Sequence, residues 1–416
     1  DELFADALRL SLENSQRIWL YDRTSFSPRR SEVEVTADLA GGVPGAWLWP
    51  YTLRREGEVG GEMTIGMPDI LSAPWNPIAG GLGLFDTAIM RATGDWAVLP
   101  DPYTGLMLPQ RLESADVYVQ EGMLVDRTLD WVGLEFAGEN QVPDDAWVDW
   151  DAAEQRFITA GDAYTQTQTA KLKVVCEYPG ELFETTWHDG SSFSLGDVVL
   201  SMIMRFDPSK PESPIYDEAT VPAFGAFIDS FKGWRIAQVD PLVVEYYADH
   251  HPLDAELAVT DLACAYPQYQ QAQAAWHMLG VGILAEEAGE LAFSGDKAAA
   301  LKGEMTSYVS GPSLAILERY LQQAADATYI PYQPTLGQYV STEEARARWA
   351  NYSDWYRNKR HFWIGTGPYY LEEVYPVEGN LVLQRFADYP DPADRWASYA
   401  EARIAEVEVD GPTEVA

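Results

Sequence analysis

Strand-like and helix-like segments alternate along almost the whole chain, and this alternation most limits the folds that are open to it. The run "RSEVEVTADLAGG" alternates valine with charged residues and ends at Gly41 and Gly42, which predicts an edge strand. "AKLKVVCEY" at 170–178 predicts another strand, whereas "LFDTAIMRAT" and "DVVLSMIMRF" are apolar runs that predict helices. Because the two kinds of segment alternate throughout, the sequence predicts an α/β protein with a mixed sheet.

Three stretches of this pattern have a character of their own. Residues 100–165 are rich in Pro, Asp and Trp and contain short strand-like runs, which predict a small β-rich subdomain. Residues at about 255–360 predict a helical region, in which Ser341 and Glu344 have capping-box spacing. The run "LFADALRLSLENSQRIWL" at 3–20 predicts an amphipathic helix or a helix that continues into a strand.

The chain is strongly acidic, with 28 basic and 65 acidic residues and a net charge of −37. Nucleic acid is a poor partner for such a surface, because binding it requires clustered Lys and Arg that neutralise phosphates. An anionic membrane face is disfavoured for the same reason. No uncharged apolar run reaches about 18 residues, which predicts no transmembrane segment. The opening "DELFADALRL" has no apolar signal core, so we expect any signal peptide to be removed or to lie upstream.

The usual sequence signatures of metal, nucleotide and nucleophile chemistry are missing. The five histidines form no HExxH pair, and the two cysteines, Cys176 and Cys264, form no CxxC. There is no GxSxG turn and no phosphate-binding glycine loop. We therefore predict no metal, no cofactor and no catalytic residue. The cysteines fit two states equally well, one disulfide in an oxidising compartment or two buried free thiols.

The segment "WHDGSSFSLGDVVL", which begins at Trp187, has two interpretations. His188 and Asp189 have the residue types of an acid–base pair. The simpler interpretation is a turn made by Asp189 and Gly190, with Trp187 packed beneath it and Asp197 as the N-cap of the apolar helix that follows. We favour the turn and the capped helix.

Three segments are similar, in the same order, to the hallmarks of one protein family. They are "GGEMTIGMPDILSAPWNPIAG", with a short buried strand and an Asn-Pro turn, "WHDGSSFSLGDVVLSM", and "GTGPYYLEEVYPVEGNLVLQRFADY", with a strand pair after Gly-Thr-Gly-Pro-Tyr. Together they resemble the extracellular solute-binding proteins of family 5, the peptide- and nickel-binding receptors of ABC importers. The resemblance implies a type II periplasmic-binding-protein fold, in which two lobes close on a ligand that a membrane permease then receives.

The chain also departs from the family pattern. In the family a long second lobe follows the Gly-Thr-Gly-Pro-Tyr element, whereas this chain ends about fifty residues after Gly367. We therefore expect an incomplete or permuted two-lobe receptor. In this interpretation residues 57–416 form the lobe I-like solute-binding region, and residues 1–56 belong to a second lobe or an upstream portion.

The resemblance implies a peptide as the first expected ligand. Loop residues near the expected cleft are the candidates for binding it, namely Asp69, Trp75, Asn76, Trp363 and Tyr369. Asp69 would pair with the ligand's ammonium group, while the aromatic side chains would line the pocket. We expect a monomer that works with an ABC permease on the extracellular side of the cell envelope, either in the periplasm or lipid-anchored on the outer face of the membrane.

Three other functions compete with a peptide receptor. An oligosaccharide is the alternative ligand, because Trp faces also suit sugar rings. An extracellular carbohydrate-active enzyme would need two carboxylates about 5 to 9 Å apart across a cleft. A non-catalytic interaction module that has lost its ligand site would have no cleft at all.

Overall fold

The protein is built around a seven-stranded sheet. A computed structural model describes residues 2–13, 26–39, 41–58, 60–80 and 83–401. The strands are β1 (Val33–Glu34), β2 (Arg54–Arg55), β3 (Val98–Pro100), β4 (Met107–Pro109), β5 (Ser114–Gln120), β6 (Val132–Ala137), β7 (Asn140–Gln141), β8 (Trp147–Asp151), β9 (Arg156–Thr159), β10 (Thr169–Ala170), β11 (Leu172–Glu177), β12 (Phe231–Val239), β13 (Leu242–Ala248), β14 (Leu291–Ala292), β15 (Glu304–Met305), β16 (Tyr369–Tyr375) and β17 (Asn380–Arg385). The α-helices are α1 (Glu2–Glu13), α2 (Gly42–Gly45), α3 (Trp49–Thr52), α4 (Leu84–Thr93), α5 (Ala160–Ala163), α6 (Leu195–Phe206), α7 (Val221–Ile228), α8 (Trp276–Glu287), α9 (Gly295–Leu301), α10 (Ser313–Ala327), α11 (Gln333–Leu336) and α12 (Thr342–Lys359).

The strand order in the large sheet is β6-β5-β11-β13-β12-β8-β9. The β5–β6 pair is parallel and the other neighbouring pairs are antiparallel. On β11 the side chains of Leu172, Val174 and Cys176 are buried, while Glu177 at its end is exposed. This alternation arises because successive residues of a strand point to opposite faces. The mixed α/β class predicted from the sequence is therefore confirmed.

Helices α8, α10 and α12 pack against one another, and α6 packs against α8 and β8. Helix α6 buries nine of its twelve residues because nearly every position of "LGDVVLSMIMRF" is apolar or small. Its apolar side chains join those of β11, β13 and α8 in one continuous core. No described helix is long and apolar enough to cross a membrane.

Cys176 on β11 and Cys264 form a disulfide, so the state that the sequence left open is the bonded one. Both cysteines are completely buried. The bond ties the interior of the sheet to the loop that precedes α8. It closes a chain segment of 88 residues, and the loop-entropy model gives such a crosslink about 4.6 kcal/mol of stabilisation.

Several local predictions need correction. The short buried strand expected at "EMTIGMP" is not formed: residues 61–67 pair with no described strand, and Ile65 is 47% exposed. Helix α6 begins at Leu195 rather than at Asp197, and Ser194 is its N-cap. The amino-terminal helix is present as α1, whereas residues 14–25 lie outside the described part of the chain.

The stretches 100–165 and 255–360 contain the predicted kinds of element. Strands β5, β6, β8 and β9 lie in the first stretch, but they belong to the same sheet as β11, β12 and β13. Helices α8 to α12 lie in the second stretch. The β-rich stretch therefore shares its sheet with later parts of the chain.

Candidate functional site

The three segments that resemble family motifs are far apart in sequence but meet in the core. Trp75, from the first segment, packs edge to face with Trp363, which lies two residues before the third segment, and their ring centroids are 5.4 Å apart. The indole Nε1 of Trp363 donates to Thr93 Oγ1 at 2.9 Å. His188, from the second segment, binds the backbone of Gly365 in the third. We call the meeting point of Trp75, His188, Trp363 and Gly365 the motif hub.

His188 uses both ring nitrogens to hold the third segment. The backbone N–H of Gly365 donates to Nδ1 at 3.0 Å, so Nε2 carries the proton and donates to the carbonyl oxygen of Gly367, also at 3.0 Å. Burial lowers the pKa of His188 to about 4, although the bond to Gly367 and the charge of Asp189 act in the opposite direction. The ring is therefore neutral and committed to the scaffold, which supports the interpretation of this segment as a turn.

The two glycines of the third segment allow it to lie directly on the backbone after α4. A Cβ atom on Gly365 would lie 2.0 Å from the carbonyl oxygen of Thr93, and one on Gly367 would lie 2.4 Å from that of Gly94. Any larger residue would force the two segments apart, because only glycine permits so close an approach. Packing thus accounts for the Gly-Thr-Gly pattern.

Asn76 is completely buried, and both the nitrogen and the oxygen of its side-chain amide are hydrogen-bonded to backbone groups. Nδ2 donates to the carbonyl oxygens of Phe293 and Thr306, both at 3.0 Å. Oδ1 accepts from the backbone N–H groups of Ile78 and Ala79 at 3.1 and 2.9 Å. The side chain thereby ties the Asn-Pro turn to the residues that follow β14 and β15.

The five predicted ligand residues do not share one surface. Trp75, Asn76 and Trp363 are buried in or beside the motif hub. Asp69 is exposed on the segment before it, and Tyr369 is partly buried at the start of β16. The two cavities described below are not lined by any of the five. Their contact with a ligand stays a prediction.

A buried network of charged side chains lies next to the hub. Arg348 of α12 binds both oxygens of Asp197 on α6, with Nη1–Oδ1 and Nη2–Oδ2 distances of 2.8 and 2.7 Å. Arg348 Nη1 also donates to Nδ1 of His277 at 3.2 Å. His277 Nε2 therefore carries the proton and donates to Asp189 Oδ2 at 2.9 Å. Asp197 also closes a capping box with Ser194, which explains why it lies at the third position of α6.

This network has the residue types of a catalytic site but not the free atoms of one. Both nitrogens of His277 and both oxygens of Asp197 are bonded to protein groups, so no proton or lone pair of theirs faces a substrate. A surface groove of about 380 Å³ runs beside the network. Its lining is polar and consists of Gly190, Ser191, Ser192, Ser194, Glu344, Ala347, Arg348 and Asn351.

A second cavity, of about 300 Å³, lies on another part of the surface. It is formed where α4, α6 and the loop 260–271 approach one another. We call it the arginine cavity, and its lining residues are Trp47, Thr87, Met90, Arg91, Trp96, Arg205, Thr260, Asp261, Leu262, Gln268, Tyr269, Gln270 and Gln271.

Arg91 is fixed in this cavity by neutral groups. Its Nη1 donates to the carbonyl oxygens of Pro44 and Gly45 at 3.3 and 2.8 Å. Its guanidinium carbon lies 4.4 Å from the ring centroid of Trp47, a cation–π contact. Burial lowers the pKa of Arg91 to about 10, against the opposing charge of Asp38. The side chain is therefore held rigidly without a direct ion pair to a described carboxylate.

Arg205, in the last turn of α6, has no such support. Its guanidinium makes no hydrogen bond and no ion pair with any described residue. Burial lowers the pKa of Arg205, and only the phenol groups of Tyr246 and Tyr269 act in the opposite direction. The side chain is half-buried, and a cation that has lost part of its hydration without gaining a partner lowers the stability of a folded protein.

Unpaired polar atoms are concentrated around the same cavity. Thirteen buried side-chain polar atoms in the described chain lack a hydrogen-bond partner. Four of them belong to residues that line the arginine cavity, namely Arg91 Nε, Trp96 Nε1, Gln268 Oε1 and Tyr269 Oη. Because buried polar groups are nearly always paired in folded proteins, this concentration makes the cavity a candidate site for a polar ligand.

Sequence reasoning missed Arg91 and Arg205, although the sequence contained a signal for both. Each is the sole basic residue in an apolar helical run, "LFDTAIMRAT" and "LGDVVLSMIMRF". A long basic side chain in such a run is either paired across the core or directed into a cavity. The local pattern does not distinguish these cases, because both depend on contacts with distant segments.

The described residues contain no group of three or more His, Cys, Asp or Glu side chains placed to hold a metal ion. In comparisons with known proteins, no family model matches the chain and no curated protein is significantly similar to it.

Proposed function

We propose that this chain is an extracellular solute-binding protein of the family 5 type, which captures a solute, in the first place a peptide, for delivery to an ABC permease. The observation that carries the proposal is the motif hub. The three segments that resemble the family's hallmarks were recognised separately in the sequence. His188 of the second segment binds Gly365 and Gly367 of the third, and Trp75 of the first packs against Trp363, two residues before the third. Convergence of this kind supports a common scaffold over a chance similarity.

The arginine cavity supports a binding role for this scaffold. Its volume of about 300 Å³ is at the small end of the range for small-molecule pockets, which suits a short peptide or part of a longer one. The disulfide between Cys176 and Cys264 supports an oxidising, extracellular location. A two-lobed type II fold and closure on the ligand remain part of the proposal.

A carbohydrate-active enzyme receives less support from the same geometry. Hydrolysis of a glycosidic bond needs two carboxylates that face each other across the cleft. The arginine cavity has one carboxylate in its lining, Asp261, and the groove beside α12 has one, Glu344. A single acid in each depression does not supply both an acid and a base.

The test is a thermal-shift screen of the protein against dipeptides, tripeptides and longer peptides, with oligosaccharides as the comparison set. A ligand present at about 100 times its Kd adds about 2.7 kcal/mol to the free energy of unfolding, which raises the midpoint by a few degrees. We expect shifts with peptides. Shifts with oligosaccharides alone would show that the ligand is a sugar and not a peptide. No shift with either set would contradict a solute-binding role.

A further inference from the structure

The arginine cavity offers far more hydrogen-bond donors than acceptors. Arg205 presents a guanidinium with no hydrogen-bond or ion-pair partner among the described residues, and Arg91 contributes a buried Nε–H that no described group accepts. The indole N–H of Trp96 and the hydroxyl of Tyr269 are likewise buried and unpaired. Against these donors, Gln268 Oε1 is the one unpaired buried acceptor among the lining residues. The donors that a ligand in this cavity would meet directly are those of Arg205, so the ligand should accept hydrogen bonds.

The charge of the cavity has the opposite sign to that of the protein. The chain as a whole carries −37, with 65 acidic residues available to pair with 28 basic ones. Nevertheless neither Arg91 nor Arg205 forms an ion pair with a described carboxylate. Asp261, the one acid in the lining, accepts a hydrogen bond from the backbone N–H of Ala97 at 2.7 Å instead. Two cations against one carboxylate leave the lining of the cavity positive, although the charge of Asp38 also acts on Arg91. An anionic ligand would balance this charge.

We propose that the arginine cavity binds a carboxylate group of the solute, with Arg205 as its main partner and Arg91 as a second. The inference rests on the proposed function, because it specifies which part of a solute the receptor recognises. A guanidinium is planar and presents a fork of N–H donors that matches the two oxygens of a carboxylate. A free peptide has such a group at its C-terminus or on an acidic side chain.

The position of Trp47 disfavours a neutral sugar in the same place. Sugar rings stack on exposed aromatic faces, but the Arg91 guanidinium already lies 4.4 Å from the ring centroid of Trp47. The Trp47 ring has a second aromatic contact, because it packs edge to face against Trp96 with the ring centroids 4.5 Å apart. The aromatic side chains of the cavity therefore fix a cation in place and do not form a stacking platform.

The inference is tested by calorimetric titration of the whole chain with matched probes. Trialanine is compared with its C-terminal amide, and succinate with succinamide, because each pair differs in the carboxylate but hardly in size. Inorganic sulfate and phosphate form a third arm. We expect each acid to bind at least tenfold more tightly than its amide, and succinate to bind more tightly than either inorganic anion.

Three variants locate the binding. R205M removes the unpaired cation but keeps much of its apolar volume, and it should weaken acid binding at least tenfold. It should also raise the melting midpoint of the ligand-free protein, because a desolvated charge without a partner is removed. R205K, which keeps the charge without the planar fork, should bind with intermediate affinity. R357M, at an exposed arginine of α12, is the matched control and should bind like the wild type.

The outcomes separate this inference from the proposed function. Equal binding of acid and amide would overturn the inference while leaving a peptide receptor intact. Binding of succinate through Arg205 without any binding of trialanine would keep the inference and contradict a peptide ligand. Tighter binding of sulfate or phosphate than of succinate would show that the cavity selects an inorganic oxyanion and not a carboxylate. Absence of binding by all probes, or an R205M variant that melts lower yet binds normally, would also overturn the inference.

Discussion

Arg348 and Arg205 both place a guanidinium inside the protein, but their surroundings are opposite. Arg348 is 2% exposed and donates to both oxygens of Asp197, to Ser192 O and to Ser194 Oγ. Its Nε also lies 3.1 Å from Glu344 Oε1, in ion-pair contact. Arg205 lies in a cavity and has no described partner of any kind.

The difference shows how a buried charge can be assigned a role. A charge with a bidentate carboxylate partner holds segments together, and the Arg348 network does so for α6, α8 and α12, although Arg348 Nε makes no hydrogen bond. A charge that stays unmatched lowers the stability of the free protein, and for Arg205 we propose that a ligand is the missing partner. Residue type alone would have made the two arginines equivalent.

The largest effect is expected when the matched arginine is removed. R348M leaves Asp197 buried without its counterion, and breaking a buried pair in this way costs about 3 to 5 kcal/mol. The free energy of unfolding, measured by chemical denaturation, should fall by that amount. R357M, which removes an exposed arginine paired at i,i+3, should change it by no more than about 0.5 kcal/mol. A loss below about 1 kcal/mol for R348M would show that the network contributes little stability, and the contrast with Arg205 would fail.

The next effect is a dependence of stability on pH that belongs to the arginine cavity. Burial raises the pKa of Asp261 to about 7, although hydrogen bonds from the backbone of Ala97 and Val98 lower it. Between about pH 4 and 7 the folded protein therefore holds a proton that the unfolded chain has released, so the contribution of Asp261 to stability falls as the pH rises. His188 and His361 act in the opposite direction below about pH 6.5, because burial lowers the pKa of each to about 4.

D261N isolates the contribution of Asp261, since the two histidines are unchanged in the variant. The free energy of unfolding of D261N minus that of the wild type should increase by about 2 to 4 kcal/mol between pH 4 and 7, and then level off. Denaturant titrations of both proteins at intervals across this range measure the difference. A difference that does not vary with pH would show that Asp261 titrates normally and that the cavity does not desolvate it.

The smallest effect is expected at the edge of the Arg348 network. Glu344 is 26% exposed, and E344Q keeps an oxygen that can accept from Ser194 Oγ while it removes one negative charge beside Arg348. Because Asp197 still neutralises the arginine, the loss in the free energy of unfolding should be about 1 kcal/mol. A loss as large as that of R348M would show that Glu344, and not Asp197, is the main partner of Arg348.

The sequence predicted those parts of the fold that depend on local pattern. The run "AKLKVVCEY" at 170–178 predicted β11, and the apolar run "DVVLSMIMRF" predicted α6 to within two residues of its start. Ser341 caps α12 as expected, but the Glu344 side chain contacts Arg348 and Ser194 and does not close the predicted capping box. Capping geometry is local, whereas the competing partner Ser194 lies 150 residues away in the sequence.

The candidate site was not predictable in the same way. Asp197 and Arg348 are 151 residues apart, and Asp189 and His277 are 88 residues apart. The local sequence pattern does not show which acidic side chain of this chain pairs with which basic side chain. Trp75, Asn76 and Trp363 were singled out for binding because they lie in loops near the expected cleft, yet all three side chains are buried in the core.

The disulfide has a consequence for the energetics of ligand capture. Cys264 lies in the loop 260–271, which supplies seven of the thirteen lining residues of the arginine cavity, and the bond anchors this loop to the interior strand β11. Most surface loops lose conformational freedom when a ligand orders them, and that loss weakens binding. An anchored loop has already lost much of this freedom during folding. Ligand capture should therefore be accompanied by a small entropic penalty as long as the bond between Cys176 and Cys264 is intact.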